Sequence, residues 1–240
     1  MRRYDRVPHP YVLQPAMGQK PRLEPSDAIE LDVTLIGHAA GYIAYVVRAL
    51  QDAAATGIGP DRLVLDLEHV APVPVTAASL SADPGERRGG LCVQALPALP
   101  PPCPKQVRVE LLTPLRVQRD GHLVGPETFT PGDLLRNLVR RVSMLRQFFT
   151  DRPLEADFVA LKELGLGLRA RHAALRWVDL VRRSSRQDTV MRMGGIVGRF
   201  ELDLTGAEPL WPYLWLGQWI GAGKGATMGL GRIGLFRALG

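Results

Sequence analysis

The chain has 240 residues, 46% of them hydrophobic and 22% charged, with a net charge of +6. That balance excludes a chain disordered throughout, and two cysteines, Cys92 and Cys103, exclude a disulfide scaffold or a four-cysteine zinc site. No stretch reaches the ~18 apolar residues of a membrane-spanning helix and no apolar run follows the basic N-terminus as in a secretory signal, so a cytoplasmic protein with no membrane contact is expected.

Residues 1–28 carry Pro8, Pro10, Pro15, Pro21 and Pro25 and read as an extended segment. Residues 29–36 alternate apolar and polar side chains, the period of a half-buried strand. Residues 38–56 are Ala-rich, with Ile43, Val46, Val47 and Leu50 at helical spacing, and Gly57 and Gly59 stop that helix. Residues 62–70 alternate again and predict a second strand. Residues 1–70 thus end in β-α-β order, an incomplete domain. Residues 71–104, rich in proline and with Gly89-Gly90, read as a linker or long surface loop.

Residues 106–113 predict a strand ended by Pro114, and Arg119-Asp120-Gly121-His122 is turn chemistry for a hairpin. A helix starts at Thr130-Pro131 and runs to about residue 149, with Leu134, Leu135, Leu138, Val142 and Leu145 on one face and Arg136, Arg140 and Arg141 elsewhere. A short helix and loop fill 151–172. Residues 174–184 and 189–204 predict two strands around Ser184-Ser185-Arg186-Gln187, 209–220 a Trp-rich helix, and 232–236 a last strand. Residues 105–240 are therefore β-α-β-β-α-β, the ferredoxin-like (RRM-like) order. The fold class is α+β: two tandem ferredoxin-like domains, the first incomplete.

The charge is unevenly placed. Residues 1–104 carry a net −2 and residues 105–240 a net +8, and only four of the thirty basic residues are lysine. Arginine forms forked hydrogen bonds to phosphate and stacks on bases, so an Arg-dominated half points to a polyanion such as nucleic acid; a GC-rich genome would give the same bias.

Three features carry candidate chemistry. Gly221-Ala-Gly-Lys-Gly-Ala-Thr-Met-Gly-Leu-Gly231 has five glycines in eleven residues, which lets a phosphate chain approach the backbone. It is not a P-loop: five residues instead of four separate Gly217 from Gly223-Lys224, and Gly225 stands where Ser or Thr would bind magnesium. A tight helix-to-strand turn is the other reading. The predicted hairpin carries Arg182, Arg183 and Arg186 at its tip, as a phosphate-pairing arm or a solvated end. The helix of residues 134–152 has a basic face, as many surface helices do. No pair of the five histidines has metal-ligand spacing, and no metal or cofactor is expected. His38, beside Tyr42, is the histidine best placed by chemistry for acid–base work. Trp211, Trp215 and Trp219 recur along one helix, as core or as a stacking face.

The segment Leu214-Trp-Leu-Gly-Gln-Trp-Ile-Gly-Ala-Gly-Lys-Gly-Ala-Thr-Met-Gly-Leu-Gly-Arg232 resembles the glycine-rich signature of the CRISPR repeat-associated (RAMP) proteins, and more narrowly of the precursor-crRNA processing endoribonucleases. Val7-Pro-His-Pro-Tyr-Val-Leu-Gln-Pro15, Leu35-Ile-Gly-His-Ala39 and Arg176-Trp-Val-Asp179 with Ser184-Ser-Arg-Gln187 and Gly194-Gly-Ile-Val-Gly198 fit the same family in order. The resemblance implies two tandem ferredoxin-like domains that bind the hairpin of a CRISPR repeat transcript and cut once at its base. It implies a metal-independent reaction, in which a ribose 2′-hydroxyl attacks the adjacent phosphate and leaves a 2′,3′-cyclic phosphate. It places Gly221, Gly223, Lys224, Gly225, Gly229 and Gly231 against RNA and makes Arg182, Arg183 and Arg186 stem contacts. The family's catalytic residues lie in a first strand-helix portion that has no counterpart in this sequence, which leaves His38 and Tyr42 as the catalytic candidates. The alternative is a non-catalytic RAMP subunit that holds crRNA among other CRISPR effector subunits. A nucleotide-binding enzyme using the glycine loop is a third reading.

Overall fold

A computed structural model describes residues 7–16, 24, 27–59, 62–70, 100–184 and 189–238. The greater part of 71–104, and Arg186, lie outside the described residues.

A four-stranded antiparallel sheet forms the core of the larger unit. Its strands are β3 (Gln106–Leu115), β6 (Arg171–Val178), β9 (Gly195–Asp203) and β10 (Ile233–Arg237), in the order β10-β3-β9-β6. With helices between the first and second and between the third and fourth strands, this is the ferredoxin-like arrangement expected for residues 105–240. Alternation along β3 puts Val107, Val109 and Leu111 in the core, where they meet Phe200, Leu202, Ile233 and Leu235 from the neighbouring strands. Pro114 does not end β3. The register shifts between Leu111 and Leu115, and at that irregularity a proline costs no ladder bond while its carbonyl accepts from the Gly231 amide at 3.1 Å.

Helix α2 (Pro131–Phe149) opens with Pro131 and a capping box between Thr130 and Asp133. It buries Leu134, Leu135, Leu138, Val142 and Leu145. Arg136 and Arg140 are exposed as expected. Arg141 is not: its Nε donates to the Ile220 carbonyl at 2.8 Å. That carbonyl ends helix α4 (Trp211–Ile220). The tryptophan spacing of α4 is core spacing: Trp211 and Trp215 are buried, and the Trp211 indole donates to the Pro101 carbonyl at 2.7 Å. A small hairpin of β4 (Gln118–Arg119) and β5 (His122–Leu123) precedes α2, and helix α3 (Phe158–Gly167) and a second hairpin of β7 (Val181–Ser184) and β8 (Thr189–Arg192) lie between α2 and α4.

The smaller unit differs from expectation. The proline-rich start contains a strand, β1 (Tyr11–Pro15), paired antiparallel with β2 (Leu31–Leu35). A 3-10 turn (Gly37–Tyr42) leads into α1 (Ile43–Thr56). The predicted strand over 62–70 does not form. Leu65 donates to the Ala54 carbonyl at the end of α1 and Ile58 bridges to Leu63, but no ladder follows. Leu63 and Val64 are exposed. Alternation makes a strand only where a partner backbone is at hand. Among the described residues the unit is therefore β-β-α, the middle stretch of a ferredoxin-like order, instead of β-α-β.

The two units touch through β1. Its Val12 and Gln14 are buried and pack toward the 3-10 turn Ala226–Met228 of the glycine loop. Arg232 reaches across to Asp32 at 3.0 Å and to the Pro15 carbonyl at 3.4 Å. At the far end, the turn that begins at Gly37 sits on the C-terminus of α2, where a side chain at 37 would collide with the Phe149 carbonyl.

Candidate nucleic-acid interface

The glycine loop starts where α4 ends. Gly221 closes the helix with its amide on the Gly217 carbonyl at 3.0 Å, and Ala222 donates to Gly231 at 2.9 Å, drawing both ends of the loop together. Lys224 then donates to the Arg116 carbonyl at 2.8 Å, just after β3, and Gly223 forms a bridge with Arg116. All five glycines have positive φ, between 64° and 83°. At Gly223 a Cβ would also run into the Arg116 carbonyl, and at Gly229 it would come within 2.9 Å of the Leu13 carbonyl of β1. The glycines thus serve the fold first.

Gly221, Gly229 and Gly231 are buried, Gly223 and Gly225 are half-buried, and Lys224 is exposed at the tip. Among the described residues, the amides of Gly223, Gly225, Ala226 and Thr227 have no backbone acceptor. What the loop can offer a phosphate is therefore a short run, Gly223 to Thr227, with one ammonium group. Thr113 fixes the other side of the loop: its hydroxyl donates to Gly229 at 2.7 Å and accepts from the Arg232 amide at 2.8 Å.

The loop base is held by two arginines: Arg141, which the sequence placed off the apolar face of its helix, and Arg116, which sequence reasoning passed over. Burial lowers the Arg141 pKa to about 10, so it stays charged at neutral pH, facing the negative end of the α4 dipole. Arg116 works at the other side. Its Nη1 donates to the Gly194 carbonyl at 2.6 Å and to the Arg192 carbonyl at 3.3 Å, while its own carbonyl holds Lys224. One residue thereby ties the loop tip to the base of the β7–β8 hairpin. Arg182 and Arg183 lie in β7 opposite Met191 and Val190.

His38 and Tyr42 are elsewhere, on the 3-10 turn against the end of α2. Phe149, which that turn contacts, is eight residues from Arg141, about 12 Å along the helix. His38 Nε2 lies 3.0 Å from Asp151 Oδ1, with the two side chains 61% and 92% exposed. A carboxylate there favours the proton on Nε2 and leaves Nδ1 as the basic nitrogen. Tyr42 is exposed and its ring stacks at a tilt near Tyr45. Asp151 had no signal in the sequence, because 113 residues separate it from His38. Among the described residues no helix is long and apolar enough to cross a membrane.

Comparison with known proteins matches this fold. The family model described as CRISPR-associated endoribonuclease Cas6 matches residues 109–233, and a model described as an N-terminal domain matches residues 1–84. A Cas6 (TTHB231) product complex has a similar fold, with a TM-score of 0.60 at 19% identity over 94% of this chain and 82% of that one; the same protein has also been solved as Thermus thermophilus Cas6. A Cas6 (TTHA0078) product complex gives 0.55 at 20% identity over 96% and 84%. No curated protein sequence matches the chain. The matched region runs from β3 to the start of β10 and takes in the whole glycine loop, more than half of the sequence, and the chain belongs to the CRISPR-associated endoribonuclease Cas6 family.

Proposed function

We propose that this chain binds the hairpin of a CRISPR repeat transcript and cuts it once, releasing crRNA. The observation that supports the reading is the Gly223-Lys224-Gly225 tip, with Lys224 exposed and Gly223 bridged to Arg116, within the region that matches the family. The amides of Gly223, Gly225, Ala226 and Thr227 and the Lys224 ammonium would take phosphate oxygens, with Gly221, Gly229 and Gly231 shaping the loop from beneath. Arg182, Arg183 and Arg186 would follow the phosphates of the stem.

The reaction needs no group the chain lacks. The ribose 2′-oxygen forms a bond to phosphorus, the bond to the 5′-oxygen breaks, and a 2′,3′-cyclic phosphate and a 5′-hydroxyl result. His38 Nδ1, with Asp151 behind the ring, would take the 2′-proton. Tyr42, one helical turn on, would return a proton to the leaving oxygen. Such acid–base residues contribute about 10²–10⁴-fold in rate.

The test is single-turnover cleavage of labelled repeat RNA in EDTA. One cut ending in a cyclic phosphate is expected. His38→Ala should slow it by about 10²-fold or more with affinity unchanged. Tight, salt-sensitive binding of RNA that stays intact would instead mean that the chain holds crRNA without cutting it.

A further inference from the structure

Of the four tryptophans, Trp211 and Trp215 are buried in the core and Trp219 packs against it, whereas Trp177 is 38% exposed. Tryptophan is among the most buried residues on average, so an open indole near a polyanion site asks for a reason. Trp177 lies in β6, the edge strand of the sheet, opposite Ile196. Its Nε1 donates to Asp179 Oδ1 at 3.0 Å. That bond fixes the ring and satisfies the indole donor, leaving the exposed surface with only its π-face to offer.

The ring sits against bare backbone at Gly194, where a Cβ would come 2.8 Å from Nε1. The carbonyl of that same Gly194 takes the Arg116 guanidinium, and the Arg116 carbonyl takes the Lys224 amide. Trp177, Arg116 and the glycine-loop tip are thus fixed relative to one another through Gly194. Arg192, whose carbonyl also accepts from the Arg116 guanidinium, is exposed beside them.

We infer that Trp177 is the seat of an unpaired nucleobase, stacked beside the loop that grips the neighbouring phosphates. An aromatic platform next to a cationic groove is how single-stranded nucleic acid is held, and flanks that emerge from a stem supply such bases. The inference rests on the RNA-binding reading given above and adds to it a contact to the strand outside the stem.

The probe is a 2′-O-methyl RNA stem-loop with unpaired flanks, which cannot undergo 2′-hydroxyl attack, and the same stem-loop with its flanks trimmed. Low salt lets backbone contacts support binding of either. The Trp177 emission is the difference between the wild type and Trp177→Phe. The flanked RNA should quench that emission in step with binding, and the trimmed stem should bind without quenching it. Trp177→Ala should bind the flanked RNA about tenfold more weakly and the trimmed stem as wild type does, while Trp177→Phe, which keeps a ring, should stay within about threefold. Binding of the flanked RNA with Trp177 emission unchanged would overturn the inference and leave the RNA-binding reading standing. Failure of both RNAs to bind would overturn the two together.

Discussion

Gly223 occupies φ +75° and faces the Arg116 carbonyl with no room for a side chain. Gly223→Ala should therefore destabilise the protein by about 1–3 kcal/mol, through left-handed strain and the displaced bridge, read as a shift in the urea midpoint. Asp133 shows a different use of a single residue. Its side chain is only 3% exposed, and Arg119 approaches it with Nε at 3.0 Å from Oδ1 and with Nη2 at Oδ2. Burial pushes the carboxyl up, but the hydrogen bonds from Arg119 and from the Thr130 amide and hydroxyl more than reverse this and hold it below its ordinary value. A lowered carboxylate stabilises the fold above its unfolded value of about 3.9 and loses that benefit as pH falls through the folded one. Asp133→Asn should accordingly cost about 1–3 kcal/mol at pH 7, and the gap to wild type should narrow in urea titrations repeated below about pH 4. Neither role was legible beforehand. Asp133 was visible as part of a helix start, but Arg119 read only as turn chemistry.

The loop and the hairpin act as elements, and Arg116 couples them. On the proposed reading each would bring one kind of contact to a phosphate chain: amides and Lys224 from the loop, Arg182 and Arg183 from β7. Replacing both Lys224 and Arg183 by alanine should weaken RNA binding uniformly across sequences. It should also lower the slope of log affinity against log salt by about 1–2, since each phosphate contact contributes about 0.7–0.9. Unchanged affinity at two salt concentrations would remove this face from the binding surface. The sequence pattern located both elements and left a tight helix-to-strand turn open as one reason for the glycines; the structure supplies that reason in full. Five left-handed positions within eleven residues follow from closing α4 onto β3 while β1 presses on the other side.

At the scale of the molecule, the smaller unit depends on the larger one for its order. Its α1 buries only Ala54, whereas its sheet is pinned by Val12 and Gln14 against the glycine loop and by the Asp32–Arg232 pair, 22% and 12% exposed. Removing one partner of a largely buried pair strands the other. Asp32→Ala should therefore cost about 1–3 kcal/mol, and Asp32→Ala with Arg232→Met should recover part of that loss in a double-mutant cycle. Because this pair ties β2 to the residue that follows the glycine loop, the Asp32 variant should also lower RNA affinity, which a filter-binding titration would detect. Periodicity alone determined the ferredoxin-like order of residues 105–240, the buried faces of α2 and β3, and the place of the glycine loop, because each depends on side chains near one another in the chain. Tertiary structure decided the rest. It determined that 62–70 pairs with no strand among the described residues, that Arg141 turns inward to Ile220, that Asp151 stands behind His38, and that Arg116 joins loop to hairpin. Those are contacts between residues remote in sequence, and no local pattern records which backbone carbonyl a distant side chain will find.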